Sequence, residues 1–291
     1  MHAAAGLAPR RLRFLVLALA YALLVAACLG SLWAAGELSL GRNPLANLLK
    51  SIGEFARPSF VDLWTGAERL EYRSDDGTLL RVENRREAEA GFLAALGRAA
   101  WVTFQIATLG SLLGALLALP LALATARNLH APRALAAPAK GLLDAARAIH
   151  TLVFGLLLVG IVGLGPTAGI LAIALHSMGT YGKLFAESVE TLDMAAVDAV
   201  RATGATPAQV FFQALLPSVL PQFVSHHLYV WEFNIRDSTV LGLIGAGGLG
   251  LLISEAVSLF QWSRLATLLL VVVALVMVFD ALSRRVRQAL L

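Results

Sequence analysis

From Ala148 to Gly182 the chain runs through 35 residues without one Asp, Glu, Lys or Arg side chain. A helix crosses the hydrocarbon core of a bilayer with about 20 apolar residues. The run is therefore too long for one crossing, and Gly163-Leu164-Gly165-Pro166 divides it. Glycine ends helices and proline cannot continue one. Two spans are expected, the third and fourth of the chain. The upstream helix is expected to begin near Leu142, with Asp144 and Arg147 as an i,i+3 pair at its cytoplasmic end. The downstream helix is expected to reach Lys183.

Composition agrees with a membrane chain: 58% of residues are apolar, 14% are charged, and the mean hydropathy is +0.75. Arg10, Arg11 and Arg13 precede an uncharged run, Phe14 to Ala35. That run is long for a signal peptide and predicts an uncleaved first span with its N-terminus in the cytoplasm. A second span is expected over Ala99 to Ala126, with Pro120 as a kink and Gly110-x3-Gly114 allowing close helix contact. A fifth is expected over about 218–236 and a sixth over about 260–282. The glycine-laden segment Ser238 to Ile253 reads as re-entrant or broken, buried in protein. If it crossed, Arg284, Arg285 and Arg287 would lie outside, against the positive-inside rule. Six spans place both termini, the 127–140 loop and residues 187–217 on the basic, cytoplasmic side of a bacterial inner membrane.

The chain thus divides into 1–36, holding the first span, an extracytoplasmic part at 37–98, and a core at 99–291. Residues 37–98 carry nine Lys or Arg against ten Asp or Glu. Within them, Arg69 to Val82 predicts a hairpin around Asp76-Gly77, and Arg85 to Glu89 the charged start of a helix. A solvated spacer is the simplest reading of this part.

Several chemistries are excluded. The pI of about 9.6 invites nucleic acid, but the basic residues flank apolar segments and form no stripe, so membrane lipid is the expected partner and nucleic acid is not. Cys28, the one cysteine, permits no internal disulfide. Gly245-x-Gly247-x-x-Gly250 matches a dinucleotide fingerprint without its βαβ context, and no G-x4-G-K-[ST] exists to bind ATP. His226 and His227 lack a ligand at i+3 or i+4 and read as packing or water-facing histidines, as do His150 and His176. No metal site is expected. An intramembrane hydrolase would need a nucleophile and base, or metal ligands, on one helical face, and neither is present.

Two stretches carry more specific signals. In Glu187 to Pro217, Asp193 is expected to cap a short helix from Met194 to Thr203, with Gly204 in the left-handed position that ends it. Thr206, Pro207 and Gln209 then form a capping box that opens a second helix, closed by Pro217. That helix shows Val210, Phe211, Ala214 and Leu215 on one face. A helix–turn–helix of this kind suits a groove on a partner protein. The other stretch sets Glu232 and Arg236 at i,i+4 beside Asn234, Asp237, Ser238 and Thr239. Ionisable groups at membrane depth are costly and point to function. The pair either satisfies itself and pins the break before Gly245, Gly247 and Gly248, or Arg236 faces a substrate path.

Asp198-Ala199-Val200, then Gly204, then Ala214-x-Leu216-Pro217 resembles the E-A-A-x3-G-x9-I-x-L-P loop of ABC importer permeases, with departures at Asp198, Val200 and Ala214. Residues 232–250 are similar to the segment of phosphonate-type permeases that reads E-x-N-x-R-S-A-T-V-x-G-x-V-G-A-G-G, with Asp237 in place of a small residue. Arg147-Ala-Ile149 and Arg201-Ala-Thr-Gly-Ala205 share that likeness, which covers about 99–291. Residues 64–90 look like an insertion. The resemblance implies an all-α type I importer permease of about six transmembrane helices. It would work as a homodimer with two cytoplasmic ATPase subunits, which bind ATP and Mg, and an extracytoplasmic binding protein. The chain itself would hold no cofactor. Asp198, Ala199, Arg201, Gly204, Phe211, Leu216 and Pro217 would couple to the ATPase. Glu232, Asn234, Arg236, Asp237, Ser238, Thr239 and Gly245, Gly247 and Gly248 would line the path or its gate. The cargo implied is a phosphonate or a related oxyanion such as phosphite, with another small ligand such as methionine as the alternative.

Overall fold

The computed structural model describes residues 8–36, 44–65, 69–73 and 79–290. Contacts divide it into two units, Met1–Gly53 and Glu54–Leu291. The first holds α1 (Ala8–Ala34) and most of α2 (Pro44–Phe55). Phe14–Ala34 is long and apolar enough to span, as expected, and its side chains are exposed, Cys28 among them.

The second unit starts with a short 3-10 turn (Ser59–Val61), α3 (Asp62–Thr65), and the antiparallel strands β1 (Arg69–Arg73) and β2 (Leu79–Asn84). The ladder pairs Arg69 with Asn84 and slips between Tyr72 and Arg73. The expected Asp76-Gly77 turn lies outside the described residues. Asn84 caps α4 (Arg85–Thr125), its side chain accepting from Arg86 N, so the charged helix start is where expected. Helix α4 passes through Pro120 without ending.

Next come a 3-10 turn (Arg127–Leu129), α5 (Arg133–Ala148), α6 (Thr151–Val162) and α7 (Pro166–Glu190). The divider at Gly163–Pro166 stands. The helix expected to run on from Leu142 does not: α5 and α6 meet at a bend of 93°. Ile149 is extended there (φ −93°, ψ 125°), and His150 caps α6 by accepting from Leu152 N at 3.2 Å. Backbone groups freed by the break find side-chain partners, which is what lets a broken helix sit inside a bundle.

Helix α7 is central. It packs along α4, α5 and α6, and along α10 (Leu216–Leu241). Small residues permit the approach. A Cβ on Gly179 would lie 2.5 Å from Arg147 N and 2.6 Å from the Leu143 carbonyl, and one on Gly114 would lie 2.9 Å from the Ala174 carbonyl. The expected glycine contact along α4 is therefore made, against α7. Among the described residues three helices are singly long and apolar enough to cross a membrane, or up to five spans if each bent pair is one. Helix α7 is not among them because its small and polar residues dilute its apolarity.

Between α7 and α10 lie α8 (Ala195–Ala202), α9 (Pro207–Val210) and a π-helical turn (Phe211–Leu215). Pro217 does not close a helix as expected, since the chain passes through the π turn straight into α10. Leu216 N bonds back to the Phe211 carbonyl, an i→i+5 turn. The widened turn accommodates proline near the start of α10, where a regular interior position would set its ring against the previous turn. Helix α10 also runs past the expected end of the fifth span. The break comes later, across a second π turn (Gly242–Ala246) with positive φ at Gly245, Gly247 and Gly248. There α10 bends by 59° into α11 (Leu249–Ser258), which packs on α4 and on α12 (Trp262–Leu290). The glycine segment is broken and buried in protein, as expected.

Candidate coupling and translocation sites

The α8–α9 hairpin is built by its caps. Asp193 Oδ1 accepts from Ala195 N at 3.0 Å, so it caps a helix beginning one residue later than expected. Gly204 takes φ +80° after Thr203, the left-handed exit a glycine permits. The Thr206–Gln209 capping box is formed. Val197, Val210, Ala214 and Leu215 are buried against the main core, and Phe211 packs half-buried beside them. Asp198, Ala199, Arg201 and Gly204 are exposed, with Asp198 and Arg201 joined at 2.9 Å. Leu216 is half-buried and Pro217 exposed. The large aromatic on the open face is Phe212, 64% exposed and edge-on to Phe211 at 5.0 Å. The face expected to carry Val210, Phe211, Ala214 and Leu215 is thus formed, and it packs inward.

Asn128 escaped the sequence reading. Its Nδ2 donates to the Val189 carbonyl at 2.6 Å and lies 3.5 Å from Met194 Sδ, while Arg127 N donates to Glu190 at 3.0 Å. The turn after α4 is thereby tied to the end of α7 and the approach to α8. No local pattern announces a tie across more than sixty residues.

On α10 the charged cluster separates. Glu232 pairs with Arg287 of α12 at 3.7 Å, not with Arg236. Asp237 accepts from Thr151 at 2.8 Å, at the first turn of α6. Among the described residues Arg236 has no carboxylate partner; its guanidinium lies 5.2 Å from the Phe233 ring centre, on the exposed side. An i,i+4 pair needs both side chains to lean together, and α12 supplied Glu232 with a different cation.

The polar residues nearby are structural ties. Asn234, 1% exposed, donates to Ser111 at 2.7 Å and Ser177 at 2.8 Å, joining α10 to α4 and α7. Ser238 bonds Ile235 and Thr103 carbonyls, and Thr239 the Ile235 carbonyl. Gly245 accepts from Gly165 N at 3.0 Å, and Leu249 N donates to Thr103 at 2.8 Å. Thus the N-terminus of α11 is occupied by protein, and the glycine motif serves the 59° bend from α10 into α11. His226 bonds Ser188 at 3.0 Å and His227 bonds Tyr181 at 3.1 Å, the packing role expected. Among the described residues no three His, Cys, Asp or Glu side chains gather to hold a metal.

A helical bundle with a capped surface hairpin and a broken, polar-lined helix defines a membrane transport subunit. Residues 92–291 match the model of the binding-protein-dependent transport system inner membrane component, and the chain belongs to that family. It is the permease subunit of an ABC importer. The phosphite transport system permease protein PtxC of Stutzerimonas stutzeri is 40% identical over 197 residues, 66% of this chain and 72% of that protein. The phosphate-import permease protein PhnE of Mycolicibacterium smegmatis is 34% identical over 198 residues, 68% of this chain and 37% of that one. The fold is that of the MetNI methionine ABC transporter in an inward-facing conformation, at a TM-score of 0.62 and 22% identity, covering 69% of this chain and 98% of that one.

Proposed function

We propose that this permease imports phosphite, a phosphonate or a closely related phosphorus oxyanion. The 40% identity to a phosphite permease over two thirds of the chain carries the reading. Methionine transport is less well supported: the methionine import permease MetP of Bacillus subtilis is 30% identical over only 36% of this chain, and the likeness to MetNI is one of fold at 22% identity. The chemistry of α10 agrees with an oxyanion. Arg236 offers a planar fork of N–H donors, free of any carboxylate among the described residues, on the exposed side of the helix.

In this reading the subunit works as a homodimer with the Arg236 faces of the two α10 helices toward the shared path. Two cytoplasmic ATPase subunits bind ATP and Mg and receive the exposed tips of α8 and α9, with Asp198, Ala199, Arg201, Gly204 and Phe212 at the contact. Phe211, Leu216 and Pro217 transmit the push into α10. The extracytoplasmic binding protein delivers the anion at the side of residues 37–98, and both termini are cytoplasmic. Closure of the ATPases moves the hairpins, and the helices rock about the dimer axis.

The test is uptake by the complex reconstituted in vesicles with ATP inside and binding protein outside. Radiolabelled phosphite or methylphosphonate should accumulate, and methionine should not. Accumulation of methionine alone would overturn the proposal.

A further inference from the structure

Beside the Arg236 face, α7 and α10 flank an open cavity of about 250 Å3 whose walls include His176, Thr180, Tyr229 and Phe233. Its other polar lining, Ser177 and Asn234, is spent on a mutual hydrogen bond. Arg236 lies against Phe233, one of the walls. The His150 ring stands 6.3 Å from the His176 ring, at the bend between α5 and α6. The Thr151–Asp237 bond ties that bend to the residue next to Arg236.

The hydrogen bonds fix how both imidazoles carry their protons. His176 Nδ1 is 2.9 Å from the Ile149 carbonyl, which can only accept, so Nδ1 bears the hydrogen. In the neutral ring Nε2 is then an acceptor. His150 Nδ1 accepts from Leu152 N, so in the neutral ring its hydrogen is on Nε2. Two histidines thus offer one donor and one acceptor, and the Arg236 guanidinium, which has no carboxylate partner among the described residues, lies over Phe233, which lines the same cavity as His176.

We infer that His150, His176 and Arg236 form a station for a singly protonated phosphorus oxyanion. Arg236 and His150 Nε2–H donate to the unprotonated oxygens, and His176 Nε2 accepts from the P–OH. Charge-assisted donors of this kind are the strong ones, and an acceptor selects against an anion without a proton. Sulfate, of similar size and shape, would leave His176 without a donor. The station rests on the oxyanion reading above and adds to it the residues that read the cargo's protonation.

Asparagine and glutamine separate scaffold from station. His176→Asn keeps a donor for the Ile149 carbonyl, and His150→Asn keeps an acceptor for Leu152 N; each loses the group at Nε2. Each should raise the KM for phosphite uptake about tenfold, as expected for a lost hydrogen bond to a charged ligand. The glutamine variants, which place a polar group near Nε2, should recover part of the loss. Wild-type KM in both asparagine variants would overturn the station.

A second readout does not need transport. In a Cys28→Ser, Thr180→Cys permease assembled with its ATPase, millimolar phosphite should slow alkylation of the cavity thiol about threefold or more, and sulfate should not. Adding His150→Asn and His176→Asn should abolish the protection. Equal protection by both anions, or none by phosphite, would refute the station. A wild-type complex that imports some other solute while phosphite still protects the thiol would refute the proposed cargo and keep the site.

Discussion

Gly204 allows backbone strain to be separated from contact. It takes φ +80° between α8 and α9, and a Cβ added to it would meet nothing within 4 Å. Substitution therefore costs only what the left-handed backbone charges. For alanine that is about 1–2 kcal/mol, a factor of about 5–30 in the equilibrium that closes the hairpin. Asparagine visits this region readily and should cost less, whereas β-branched valine is a severe outlier there and should cost most. Uptake and substrate-stimulated ATP hydrolysis should fall in the order Asn, Ala, Val, with membrane yield unchanged. The assay is the reconstituted complex with binding protein in excess, each variant normalised to assembled permease. Full uptake by Gly204→Val would remove the hairpin from coupling. Equal losses in all three variants would show that the position is read by side-chain contact with the ATPase, and the backbone argument would fail.

The partly buried Glu232–Arg287 pair predicts a cycle on the stability of the assembled permease. Either Gln variant alone should cost about 1–2 kcal/mol, between exposed and buried limits, and the double Gln variant less than their sum; additive losses in thermal unfolding would deny the pair. Gly179→Ala would press a methyl into the α5 backbone and should destabilise by about 1–3 kcal/mol. Gly160→Ala, in the last turn of α6 with nothing within 4 Å, should be neutral or stabilising, and equal unfolding temperatures for the two would refute the packing account. In a Cys28→Ser background, Glu87→Cys should react with an impermeant thiol reagent from outside and Arg133→Cys only after permeabilisation. The reverse order would overturn the orientation.

The sequence by itself determined what depends on neighbours along the chain. Hydropathy marked the long apolar helices α1, α4 and α12, because a bilayer tests each segment of about 20 residues separately. Caps and glycines fixed the α8–α9 hairpin, since Asp193, Gly204, Thr206 and Gln209 act within three or four residues. The spaced motif fixed the family. The tertiary structure alone decided what depends on partners far along the chain. Glu232 could have paired with Arg236 four residues on, but α12 brought Arg287 to it. The helix after Leu142 could have stayed straight, yet α6 capped by His150, with His176 on the Ile149 carbonyl and Asp237 on Thr151, made the bend satisfied. The face of Val210, Phe211, Ala214 and Leu215 could have met a partner, but it packs into the core and leaves Phe212 exposed. A polar group in a membrane bundle must find a partner, and which one it finds is a matter of packing between helices that the local pattern does not record.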